Sequence, residues 1–185
     1  MCSRGNALIA KRIVASVLAL TVLALTLIPV SALAGQKAII FPFDLIDQSQ
    51  QFEIGLMPKG IDPEEKRRLG IITEELTKLI KASGRYEVVD SQPIAAEIEE
   101  KSPMYKCNGC EDDLAKKAGA EIAFIGTVRK ASDVLFTVSI YIRDVGKEKV
   151  VRQASGEIYG NTDAMWLRAV RYLVEKRLFV DGASQ

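Results

Sequence analysis

The sequence contains no histidine. That absence excludes catalytic arrangements built on imidazole, Ser-His-Asp and Cys-His among them. It also removes the nitrogen ligand that zinc most often uses, and structural zinc takes four N or S donors. Cysteine is scarce, with three in 185 residues, and Cys2 lies in the basic N-terminal stretch. Cys107 and Cys110 are therefore the only two beyond residue 34. Neither a P-loop, a dinucleotide fingerprint nor a G-x-S-x-G elbow occurs. Charge is balanced too, at 25 basic and 24 acidic residues, which leaves no global electrostatic case for binding nucleic acid.

What is present begins with an address. Arg4, Lys11 and Arg12 precede the apolar run Ile13 to Val30, and Ser31-Ala32-Leu33-Ala34 follows Pro29. A basic region, an apolar region and an A-x-A site form an export signal, with cleavage expected between Ala34 and Gly35. An uncleaved anchor is the rival reading, because the run reaches the lower end of spanning length. Gln36 stands where a lipoprotein would carry its lipidated cysteine, so no lipid anchor is expected. The leader holds no twin-arginine pair either, only Lys11-Arg12. The expectation is a soluble periplasmic protein of a Gram-negative bacterium, with a leader over 1–34, one domain over 35–180 and a disordered tail over 181–185.

Within that domain, Lys37 to Phe43 is a short apolar run that reads as a buried strand. Asp44 to Ile61 has no clean period and reads as a long mobile or functional loop. Asp62 caps a helix with Pro63 at its first position and Glu65 completing a capping-box pattern. Leu69, Ile72, Leu76, Leu79 and Ile80 form its apolar stripe, and Gly84 ends it. Tyr86 to Asp90 reads as a strand, Gln92 to Lys101 as a second helix, and Glu111 to Ala118 as a third. Glu121 to Lys130 then reads as a central strand. Val134 to Asp144 alternates strictly, and a hairpin returns along Lys149 to Ile158. Asn161 or Thr162 caps a last helix. The order β-α-β-α-α-β-β-β-α predicts an α/β (α+β) domain, a mixed five-stranded sheet with about four helices.

Three readings of Cys107-Asn-Gly-Cys110 stay open. An oxidising compartment would pair the two as a structural staple. A thiol-disulfide enzyme would use a helix N-terminus to lower a thiol pKa. Met104 with the two sulfurs would suit copper(I). Glu111, Asp112 and Asp113 oppose a thiolate, and as first-turn carboxylates they complement a helix dipole. No calcium-loop spacing is present. Trp166 and Tyr172 are candidate partner anchors, although Trp166 sits at core-like helical spacing. Leu56 and Met57 are the best candidates for an exposed apolar contact. Lys66-Arg67-Arg68, with Arg168 and Arg171, read as solvated helix faces.

Several phrases carry a resemblance. Ile39-Ile40-Phe41-Pro42-Phe43, then Ser83-Gly84-Arg85-Tyr86-Glu87-Val88-Val89-Asp90, resemble the N-terminal domain of the Tol translocation protein TolB and its curli-secretion-like relatives. Leu114-Ala115-Lys116-Lys117-Ala118-Gly119-Ala120 continues the likeness. Cys107-Asn108-Gly109-Cys110, Gly126-Thr127-Val128-Arg129-Lys130 and Gly160-Asn161-Thr162-Asp163 are similar to an uncharacterised family of secreted proteobacterial proteins. That resemblance implies a periplasmic protein whose genes neighbour quinoprotein alcohol dehydrogenases, hence an accessory role. The expected function is a non-catalytic interaction module with a protein partner and no cofactor. The alternatives are a thiol-disulfide protein and a small-ligand or metal carrier.

Overall fold

The computed structural model describes residues 35–49 and 60–179. Among these residues the domain is a mixed α/β structure, one six-stranded sheet with four α-helices. The strands are β1 (Gln36–Ile40), β2 (Asp44–Asp47), β3 (Tyr86–Val88), β4 (Ile122–Lys130), β5 (Leu135–Asp144) and β6 (Lys149–Tyr159). The helices are α1 (Pro63–Ser83), α2 (Ala95–Lys101), α3 (Cys110–Lys117) and α4 (Asp163–Leu173), and a π-helical turn over Val174–Leu178 extends α4. No described helix is long and apolar enough to cross a membrane.

The strand order is β3-β1-β4-β5-β6. β1 runs parallel to both β3 and β4, while β4, β5 and β6 form an antiparallel meander. The sixth strand corrects the five expected from sequence. β2 continues the line of β1 along β4, so the start of the expected loop is part of the sheet. Ile40 pairs with Phe124 and Asp44 with Thr127, which sets four steps on one strand against three on the other. This is a bulge at Phe41-Pro42-Phe43, and it reverses the side-chain alternation. Pro42 has no N–H to give, and the next N–H, that of Phe43, donates to Thr73 Oγ1 of α1 at 3.0 Å.

Each face of the sheet carries its own core. On one side α1 contributes Leu69, Ile72, Leu76 and Ile80, and α4 contributes Trp166, Val170 and Leu173. They cover Ile40, Phe124, Val128, Phe136, Val138, Ile140 and Ile142, so the alternation of β5 buries Phe136, Val138, Ile140 and Ile142 as expected, whereas Val134, expected on the same face, precedes the strand and is exposed. On the other side Ile94, Ile98, Met104, Leu114 and Ala115 cover Ile39, Phe41, Ala123 and Ile125.

The start of α1 departs from the expected capping box. Asp62 Oδ1 accepts the N–H of Glu64 at 2.8 Å, a cap that contributes about 1 kcal/mol. Glu65 does not reach back to the cap. It is turned inward, 3 % exposed, and accepts from Lys130 Nζ at 2.8 Å and Asn161 Nδ2 at 3.1 Å.

Candidate functional site

The cysteine loop is closed by a disulfide between Cys107 and Cys110, with Cα atoms 5.5 Å apart. Gly109 takes the left-handed conformation, φ 101°, immediately before α3, and its N–H donates to Glu111 Oε2 at 3.0 Å. Asp112 is 2 % exposed, and Arg143 of β5 grips both its oxygens at 2.7 and 2.5 Å. The first two acids of the expected dipole-facing trio therefore have specific partners. The Asp112 and Glu111 carboxylates hold the Arg143 guanidinium charged, with Asp112 the stronger influence.

Cys107, Cys110 and Glu111 bring their donor atoms within 4.8 Å of one another. Joined sulfurs offer no thiolate to a metal ion, and Met104, the third copper donor proposed from sequence, is packed into the core. Around the bridge, Glu111, Asp112, Asp113 and Glu148 line an acidic recess of about 570 Å³. Arg143 lines the recess too and offsets part of this charge, but the carboxylates outnumber it, and their net field disfavours a thiolate leaving group. The arrangement suits a fixed loop that pins α3 to β5.

A second polar cluster joins α1, β4 and the turn leading from β6 into α4. Lys130 is 8 % exposed and contacts Glu65 and, at 3.0 Å, Asp133. Burial pulls the pKa of its ammonium down, and the Glu65 and Asp133 carboxylates more than offset that. Arg67 and Arg68 reach across to Asp163 at 2.8 and 2.9 Å, and Arg68 also donates to Asn161 Oδ1 at 3.1 Å. These side chains were expected on solvated faces; two of the three clamp the start of α4. Gly160 is left-handed at φ 111°, and a Cβ there would lie 2.5 Å from Met165 Sδ. The Gly160-to-Asp163 phrase is thus the turn that sets α4 against β6.

That setting shapes a largely apolar groove. β6 is an eleven-residue strand at the edge of the sheet. Between it and α4 runs a groove of about 470 Å³, lined by Gly156, Ile158, Met165, Ala169, Tyr172 and Leu173. Arg168 and Arg177 stand at its rim. Seven large hydrophobic side chains are exposed among the described residues, and five of them, Val134, Val150, Val151, Tyr159 and Tyr172, lie on β6 or beside it. An extra residue at Val151 interrupts the register with β5 and leaves Val150 and Val151 both exposed.

A second cleft, of about 900 Å³, opens at the carboxyl end of β1. Ile40, Pro42, Lys66, Thr77, Lys81 and Gln92 line it. β3 and β4 flank β1 on opposite sides, so this is the topological switch point of the parallel part of the sheet.

Trp166 is fully buried, its ring 5.4 Å from that of Phe136, so it packs in the core and presents no exposed surface. Tyr172 is half exposed and lines the groove. Ala34, Leu56 and Met57 lie outside the described residues, and Gly35 packs against the Arg85 carbonyl.

The DUF3280 family model, described as "Protein of unknown function (DUF2380)", matches residues 36–178. The chain belongs to this family. No curated protein matches the sequence. Among solved structures, the chain is similar to the LpoB C-terminal domain from Escherichia coli. Identity is 12 % over 75 % of this chain and 93 % of that one, with a TM-score of 0.47. It is similar to lipoprotein GNA1162 from Neisseria meningitidis at 12 % identity, covering 77 % and 98 %, with a TM-score of 0.45. TolB from Acinetobacter baumannii is a weaker likeness, 14 % identical over 77 % of this chain and 28 % of that one, TM-score 0.37.

Proposed function

We propose that the protein is a non-catalytic interaction module of the bacterial envelope, docking a partner polypeptide along β6. The carrying observation is the concentration of exposed apolar side chains on and beside β6, an eleven-residue strand whose outer edge is unpaired among the described residues. Edges of this kind are ordinarily shortened, covered or charged to prevent pairing. The export signal read from the sequence supports a periplasmic location. The quinoprotein alcohol-oxidation system suggested by the sequence resemblance is the pathway in which we expect the accessory role.

A photo-crosslinking residue placed at Gln153 tests this in intact cells. Adducts from Gln153, with none from Glu100 on α2, are expected. If neither position yields an adduct, the docking reading is wrong.

The cleft at the switch point favours one rival, a small-ligand carrier. Lys66, Lys78 and Lys81 line it beside Glu74 and Glu99, a net positive set that suits an anion. Calorimetry with inorganic phosphate and with a dicarboxylate separates the two readings, since a carrier gives saturable heat that Lys81→Glu abolishes.

A further inference from the structure

We infer that the occupant of β6 is an extended acidic segment of the partner, added as a seventh strand with alternate side chains in the groove under α4. This rests on the docking reading given above and specifies the chemistry of what docks.

The direction of the backbone is fixed by one contact. The Gly160 N–H donates to Val134 O at 2.6 Å, continuing the register that sets Tyr159 opposite Leu135. Backbone groups alternate sides along a strand. From Arg152 to Gly160, even-numbered residues therefore turn their N–H and C=O groups toward β5. Gln153, Ser155, Glu157 and Tyr159 turn theirs outward. The Ser155 and Ser139 hydroxyls, 2.8 Å apart, agree with this, because pairs without ladder hydrogen bonds sit closer together. A partner strand thus finds donors and acceptors at every second residue, which is how strand addition gains affinity.

Specificity comes from the side chains on the helix-covered face. An added strand lies about 4.8 Å beyond β6, and every second side chain then emerges beside α4. The floor there is apolar, with Ile158, Met165 and Leu173, and Gly156 contributes no side chain to obstruct it. The rim carries Arg168 and Arg177, and the one carboxylate among the lining residues, Glu157, is odd-numbered and so directs its side chain to the other face of the sheet. Among the described residues neither Arg168 nor Arg177 makes an ion pair, and Arg177 rests over the Tyr172 ring at 6.0 Å. Apolar residues alternating with carboxylates on one face of an extended segment complement this surface in both shape and charge. A second copy of the chain complements it less well. Its own β6 would present Arg152, Ala154, Gly156 and Ile158 on that face, with no carboxylate among them.

The test uses the purified chain and a display library of random nine-residue segments. Enriched segments are expected to carry Asp or Glu spaced by two from apolar residues. Ser155→Pro removes an outward N–H without touching the β5 ladder, and is expected to weaken binding at least tenfold, while Ser155→Ala does not. Arg168→Glu with Arg177→Glu is expected to turn the selection toward basic segments. Circular dichroism and thermal melting confirm that each variant is folded. No enrichment, enrichment without acidic residues, or indifference to both variants overturns the inference. So does a dimeric mass that Ser155→Pro abolishes, which would assign the edge to a second copy. If Gln153 crosslinks in cells to a protein whose contacting segment is not acidic, this inference falls and the docking reading stands.

Discussion

The ring of Phe43 rests on Gly126. A Cβ built at Gly126 would lie 2.4 Å from two ring carbons of Phe43. The bulge turns Phe43 toward the α1 side, and the missing side chain on β4 is the space it occupies. Gly126→Ala is expected to cost about 2 kcal/mol by overpacking. Phe43→Ala removes the obstacle, so the double variant should be less destabilised than the sum of the two single variants. Urea unfolding of all four proteins measures this, and strict additivity would refute the contact.

The Glu65–Lys130 pair gives a second expectation. Both groups are buried, and removing one partner from a buried pair costs about 3–5 kcal/mol. Lys130→Met should therefore be severely destabilising. Glu65→Gln combined with Lys130→Met should recover part of that loss, because no unpaired charge remains. Melting temperatures of the two variants and the parent protein suffice, and a double variant worse than Lys130→Met would contradict it.

Asp44 makes stability depend on pH. Burial raises its pKa above the ordinary 3.8, against the lowering effect of the Tyr105 and Met104 backbone N–H groups. The folded state thus binds this proton more tightly than the unfolded chain does. The penalty of ionising Asp44 is fully present above the raised pKa, shrinks as pH falls through it, and is gone below 3.8. Asp44→Asn stays neutral and keeps an acceptor for the Tyr105 N–H. It should raise the melting temperature at pH 7, with the advantage vanishing near pH 3.5. An advantage that persists at low pH would point to another cause.

Closing so small a ring, the disulfide stabilises the fold by only about 2 kcal/mol. Cys107→Ser with Cys110→Ser should lower the melting temperature by about 4–8 °C and leave the domain folded. As a structural bond it should have a reduction potential below about −300 mV. A strongly oxidising potential, with turnover on a substrate disulfide, would restore the thiol-disulfide reading.

Local signals were legible in the sequence. The Asp62 cap, the stripe on α1, the alternation of β5 and the Gly84 stop each involve residues a few positions apart, and each stands where expected. Pairings between distant residues were not. β2 was missed because Pro42 and the bulge break its pattern, and its partner β4 lies more than 80 residues away. The inward turn of Glu65 depends on Lys130 and Asn161, and the burial of Asp112 on Arg143. A carboxylate in a first helical turn looks the same in sequence whether it faces solvent or a buried cation. The edge character of β6 also escaped, because hairpin patterning does not say which strand is last.

The placement of β4 has a consequence for the order of assembly. β4, β5 and β6 are consecutive in the chain and meet through short turns, so their contacts close small loops. β1 lies far upstream, and its pairing with β4 joins Ile40 to Phe124. As the chain emerges, its first strand can gain β3 after α1, but its other edge stays open until β4 arrives. The meander closes the smaller loops and is expected to form first, with β1 joining it afterwards.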